Sequence, residues 1–197
     1  MRVFASLALI LTILGCERAP ESAAPPPAIV TPEPQRQQAT ALPRLRVDGT
    51  RFARPDGSRF QWRGISAFRL VEMVAHGREA DAAAYLDWAA SRELTVVRVF
   101  SMAHHLFGLP PSDGVAALPR LLEMAAQRQL YVEVVALADT AAIQVDLAQH
   151  VKRIGEIASR HTNAIVEIAN EPVHPTQRRD VHDAAVVRQL ARAVPPD

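Results

Sequence analysis

Ile165-Val-Glu-Ile-Ala-Asn-Glu-Pro172 is the stretch whose reading decides the fold. Its first six residues form a short run rich in β-branched and apolar side chains, the composition of a strand buried on both faces. Upstream, the same kind of run recurs as Tyr131-Val-Glu-Val-Val-Ala-Leu137, Thr95-Val-Val-Arg-Val-Phe-Ser101 and Phe60-Gln-Trp-Arg-Gly-Ile-Ser66. Successive runs start 35, 36 and 34 residues apart. Segments with helical periodicity lie between and after them. Ala82, Tyr85, Leu86 and Ala89 make one apolar stripe, and Leu118, Leu122 and Ala125 a second, with Pro119 expected in a first helical turn. Ile143, Leu147, Val151, Ile154 and Ala158 make a third, and Val187, Leu190, Ala191 and Val194 a fourth. Strict alternation of this kind predicts a parallel α/β sheet, either a closed barrel or an open doubly wound sheet. The first strand runs into Ala67-Phe-Arg69 and not into a glycine-rich loop, so a dinucleotide site of the Rossmann kind has no support.

Ahead of the repeat, Asp48-Gly49 and Pro55-Asp56-Gly57 punctuate short alternating runs from Leu45 to Trp62, which predicts a small β-hairpin. Before that the composition changes. Seven of the fifteen prolines lie between Glu17 and Pro43, with no glycine, so residues 17–43 are expected to be an extended tether. The first sixteen residues carry an address. Arg2 is a short positive region and Val3–Leu14 an apolar run too short to span a bilayer. Ile13-Leu14-Gly15-Cys16 resembles a bacterial lipobox, and Cys16 is the only cysteine. We therefore expect residues 1–16 to be a lipoprotein signal peptide, lipidation at Cys16, and membrane anchoring in the bacterial cell envelope. The formal charge of +1, from 22 basic and 21 acidic residues, gives no electrostatic case for nucleic acid or for an anionic membrane surface.

The chemistry concentrates in the stretch quoted first. Alternation in a strand puts Glu167, Ala169 and Glu171 on one face and Val166, Ile168 and Asn170 on the other. Glu171 falls where the strand ends, and in a barrel that end carries the active site. Pro172 disfavours the helical region for Glu171, so an extended conformation is expected there. Glu167 lies a layer deeper and needs a partner if buried; Arg98, beside Val96 and Phe100 on its own strand face, can supply one.

These residues resemble those of glycoside hydrolase clan A, most nearly family 5, the cellulase- and mannanase-like enzymes. The matching features are the hairpin Val47-Asp-Gly and Pro55-Asp-Gly, the strand Phe60–Ser66, Val97-Arg98 on the second strand, and Asn170-Glu171-Pro172 closing the fourth. The resemblance covers about residues 45–175 and implies a (β/α)8 TIM barrel, of which residues 44–197 hold about the first four units after the hairpin. It implies that Glu171 is the general acid/base of a retaining O-glycosidase, that Asn170 contacts the sugar 2-hydroxyl, and that Arg98 supports the nucleophile's site. The nucleophile would come from the seventh strand, so these 197 residues alone are expected to be inactive, or to need a partner half-barrel or self-association. His104 and His105, after the second strand, are either a sugar-binding pair or a pair of surface histidines. Asp139, where many relatives carry histidine, either binds sugar hydroxyls or caps the following helix. No cofactor and no metal is expected, because the first strand ends Gly64-Ile-Ser66 without a His-x-His pair. The competing class is a non-catalytic carbohydrate-related lipoprotein or truncated pseudoenzyme.

Overall fold

A computed structural model describes residues 41–195 with the exception of residue 142. The expected signal peptide, Cys16 and nearly all of the expected tether lie outside the described residues. The tether's last residues are part of the folded unit. Leu42 packs beneath the sheet, its carbonyl accepts from Thr162 Oγ1, and Pro43 O accepts from Tyr131 Oη at 2.6 Å.

Strands β1 (Arg46–Asp48) and β2 (Arg51–Ala53) form the antiparallel hairpin; Asp48 pairs with Arg51, so the turn is Gly49-Thr50, with Gly49 at φ 62°. Four parallel strands then follow in sequential order: β3 (Gly64–Ser66), β4 (Val96–Phe100), β5 (Tyr131–Leu137) and β6 (Ala164–Ala169). Neighbours in sequence are neighbours in the sheet, which is the strand order of a barrel and not of a doubly wound sheet. The helices are α1 (Leu70–Ala75), α2 (Glu79–Ser91), the single turn α3 (His104–Phe107), α4 (Pro111–Ala126), α5 (Leu147–Ser159) and α6 (Ala184–Ala191). Asp146 and Asp183 cap α5 and α6 through Gln149 N and Ala185 N.

Several boundaries differ from expectation. β3 is shorter than Phe60–Ser66, because Phe60 N bonds Phe52 O and so continues the hairpin while only residues 64–66 pair with β4. Pro119 sits inside α4, which starts at Pro111 and runs unbroken to Ala126, so it lies in the helix interior, where it donates no backbone hydrogen bond, and not in the first turn. Ile143 and Val194 pack on the core but lie outside the helices.

One face of the sheet, with Val97, Val99, Val132, Val134, Ala136 and Ala164, packs under the helices and forms the main core. The helix cover is tight: a Cβ on Gly114 would lie 1.7 Å from Ser101 O, so α4 rests directly on the end of β4. The opposite face is layered. At the N-terminal end Phe60, Val96 and Tyr131 pack with Leu45 and the hairpin. At the C-terminal end Phe100, Val135 and Ala138 pack with Phe68 and Phe107. Between these apolar layers lies an ionic one. The hairpin thus covers the N-terminal end of the sheet, and the C-terminal ends remain the accessible ones.

Candidate active site

The ionic layer is centred on Arg98. Strand alternation brings it to the same face as Val96 and Phe100, and the β4–β5 register sets it directly opposite Glu133. Its guanidinium donates twice to Glu167, from Nε to Oε2 at 2.7 Å and from Nη2 to Oε1 at 2.6 Å. Glu133 Oε2 stands 3.6 Å from Nε. The rings of Phe68 and Phe100 flank the guanidinium at 5.5 and 6.0 Å. Donating to the Glu167 carboxylate raises the Arg98 pKa against the opposing effect of burial, and Glu167, Glu133 and Glu171 add Coulombic support. Burial pushes the Glu133 carboxyl above the ordinary carboxylate range, and the charge of Glu167 pushes it further, while Arg98 pulls it back.

Arg98 also reaches the rim. Its Nη2 donates to Asn170 Oδ1 at 3.1 Å. That bond orients the Asn170 amide, because with Oδ1 occupied the two N–H donors face away from Arg98. One of them approaches Glu171 Oε2 at 3.5 Å. Arg98, Asn170 and Glu171 are therefore one connected group at the C-terminal end of β6. Asn170 shares the Arg98 side with Glu167, so the simple alternation of faces stops at the strand end.

The backbone at Glu171 corrects one expectation. Its φ is +38°, in the left-handed region, not extended. Pro172 disfavours the right-handed helical region through its ring, and Glu171 leaves the extended region for the left-handed one. Glu171 O accepts from His174 N at 2.8 Å, which closes a turn through Pro172 and Val173 immediately after it. Asp139, at the corresponding end of β5, is also left-handed with φ 57°. Two non-glycine residues in this region on neighbouring strand ends are a concentration of local strain.

Asp139 is buried and caps a helix, but not the following one. Its Oδ2 accepts from His105 N at 2.6 Å and Leu106 N at 3.2 Å, the start of α3, which follows β4. α5, the next helix, has its own cap in Asp146. The Asp139 carboxylate also lies 3.6 Å from His105 Nδ1, and the rings of His104 and His105 meet edge to face at 4.9 Å. His104, His105 and Asp139 thus form a second rim group, with both imidazoles exposed. Among the described residues, no group of three His, Cys, Asp or Glu side chains is placed to hold a metal ion.

Sequence reasoning missed Glu133, although the signal was present: a lone carboxylate in the apolar run Tyr131–Leu137, in phase with Arg98. It also missed the buried His150 on α5, which stands at helical spacing between Leu147 and Ile154 on the apolar stripe.

No protein-family model matches the chain, and no curated protein matches it by sequence. Solved structures do match it in fold. An exo-β-1,4-mannosidase from an Opitutaceae bacterium has TM-score 0.57 and 18% identity, over 76% of this chain and 31% of that one. A glycoside hydrolase family 5 protein from Bacteroides vulgatus has TM-score 0.54 and 14% identity, over 77% and 37%. A β-mannanase from Thermomonospora fusca, solved with mannohexaose, has TM-score 0.51 and 20% identity, over 77% and 52%. The fold is therefore like that of the family 5 glycoside hydrolases, an α/β barrel of which the parallel four-stranded sheet forms a part. The chain spans about a third to a half of the length of the structures it matches.

Proposed function

We propose that this chain carries the acid/base half of a retaining O-glycosidase acting on an oligo- or polysaccharide. The observation that carries the proposal is the Arg98–Asn170–Glu171 group at the C-terminal end of the fourth barrel strand, the end where barrel enzymes do their chemistry. In the first step the Glu171 carboxylic acid gives its proton to the glycosidic oxygen as the bond to the anomeric carbon breaks. A second carboxylate, from a strand beyond these four, bonds to that carbon. In the second step the Glu171 carboxylate takes a proton from water, whose oxygen displaces the second carboxylate and releases the sugar. Asn170 presents its N–H donors to a hydroxyl next to the reacting carbon, and Arg98 holds it in that orientation. His104, His105 and Asp139 shape the neighbouring part of the sugar site.

The same reading places the enzyme on the cell envelope. Lipidation at Cys16 anchors it to a membrane, and the Pro-rich residues from Glu17 up to the docked Leu42 hold the barrel away from the surface. The outer edges of β3 and β6 would be covered by further strands, from this polypeptide, a partner half-barrel or a second copy.

The test is azide rescue. Glu171→Ala in the complete barrel should hydrolyse a dinitrophenyl β-mannobioside slowly, because the glycosyl-enzyme waits for a general base. Added azide should restore turnover and yield the β-glycosyl azide, since a small anion needs no base. No rescue, or an azide product of inverted configuration, would overturn the assignment.

A further inference from the structure

The segment after β6 is held by a side chain to which nothing above assigns a role. Gln177 is 2% exposed in an otherwise polar loop. Its Nε2 donates to Asn170 O at 2.6 Å and to Leu137 O at 3.0 Å, the carbonyls at the ends of β6 and β5. Its Oε1 accepts from Thr140 Oγ1 at 2.7 Å, which fixes which end of the amide faces the carbonyls. The Thr140 hydroxyl in turn accepts from Arg178 N at 2.9 Å. Backbone bonds complete the closure: His174 N to Glu171 O, Gln177 N to His174 O, Asn170 N to Leu137 O and Ala141 N to Thr176 O. The Gln177 amide therefore uses its donors and its acceptor without water, in a buried network where each bond is hard to replace.

Asn170 O belongs to the peptide group that joins Asn170 to Glu171. Holding that oxygen fixes the plane from which Glu171 departs in its left-handed conformation, φ +38°. A left-handed non-glycine residue is costly and persists only where its surroundings over-determine it. Among the described residues, Gln177 is the one buried side chain that bridges that peptide to the neighbouring strand end.

We infer that Gln177 is a positioning residue for Glu171: through the Asn170 carbonyl it holds the Glu171 backbone in the left-handed conformation that aims its carboxylate. The inference rests on the acid/base reading of Glu171 for its catalytic consequence, but not for its conformational one. Displacement of a reacting group by about 1 Å can cost on the order of 100-fold in rate.

The test uses the full-length protein with Gln177→Met, which keeps the side-chain volume and removes both donors, and Thr140→Val, which releases the far end of the amide and the Arg178 N–H but leaves both Gln177 donors in place. Glu171→Ala is the control. The probes are phenyl and dinitrophenyl β-mannobioside, and the Glu171 Cα and Cβ chemical shifts report its backbone conformation. In Gln177→Met the Glu171 shifts should move toward extended values, and kcat on the phenyl substrate should fall at least about 10-fold. KM and the glycosylation rate on the dinitrophenyl substrate should hold. Thr140→Val should move both readouts the same way by less, which keeps the test decisive if Gln177→Met unfolds. Unchanged Glu171 shifts in a folded variant, or equal losses on both substrates, overturn the inference. If Glu171→Ala itself fails to separate the two substrates, the acid/base reading falls, while the Glu171 shifts still decide whether Gln177 holds that backbone.

Discussion

His150 makes the stability of this fold depend on pH, with a sign and size that follow from its surroundings. The imidazole is 4% exposed and lies between α5 and the sheet, where Nε2 meets Ala136 O at 3.1 Å and Ser101 Oγ at 3.2 Å. Burial lowers its pKa from 6.5 to about 4, against the opposing pull of the Ala136 carbonyl. The unfolded chain therefore binds a proton that the folded chain refuses between those two values. Stability from this site is fully present above the unfolded pKa and is lost as pH falls through the folded one. At 1.36 kcal/mol per pKa unit the displacement from 6.5 to about 4 amounts to about 3 kcal/mol, a large share of the ~5–15 kcal/mol of a typical domain. His150→Met removes the titration and keeps an apolar filling, while Ser101 Oγ still donates to Ala136 O at 3.0 Å. Urea unfolding of both proteins, at one protein concentration, should show the wild type losing about 3 kcal/mol relative to the variant between neutral pH and about pH 4. Parallel loss of stability in the two proteins, or an imidazole that titrates near its ordinary value by NMR, would refute the reasoning.

Two further outcomes test the packing and the ionic layer. Gly114→Ala sets a methyl group 1.7 Å from Ser101 O, which backbone cannot readily vacate; urea unfolding should show a loss at or above the ~1–3 kcal/mol of ordinary overpacking. Glu133→Gln should stabilise the fold near neutral pH, because burial and the charge of Glu167 raise the Glu133 pKa and so penalise its ionised form in the folded state. The sign is opposite to that at His150: the folded chain holds the Glu133 proton more tightly, so wild-type stability falls as pH rises through the raised pKa. The advantage of the variant should vanish below the ordinary carboxylate range, and an advantage that instead grew on acidification would contradict the assignment.

The strands were legible because each is an apolar run with one periodicity. β5 occupies Tyr131–Leu137 as read, and β4 and β6 differ only at their ends. The first strand was not, because Phe60–Ser66 serves two structures, and nothing local marks where the hairpin stops and the sheet starts. The pairing of Arg98 with Glu167 could be read from one cation and one carboxylate in apolar strands. The conformation of Glu171 could not. Pro172 restricts its neighbour, but the left-handed conformation is held through Gln177, a polar residue in a polar loop that carries no signal of burial. Asp139 shows the same limit. Its type announced a cap, but only the fold brings the start of α3 to it across 34 residues of chain.

The central claim is that Glu171 supplies the proton to the departing oxygen, and leaving-group dependence tests it most directly. In the complete barrel, kcat/KM should be measured for wild type and Glu171→Ala on a series of aryl β-mannobiosides, from phenyl to dinitrophenyl. A proton given in the transition state is worth on the order of 10²–10⁴-fold where the leaving group is poor, and little where it departs unaided. The account predicts a variant whose loss is large for phenyl and nearly absent for dinitrophenyl, with rates that now depend steeply on the acidity of the phenol. A uniform, modest loss across the whole series would mean that Glu171 does no more than shape the turn after β6.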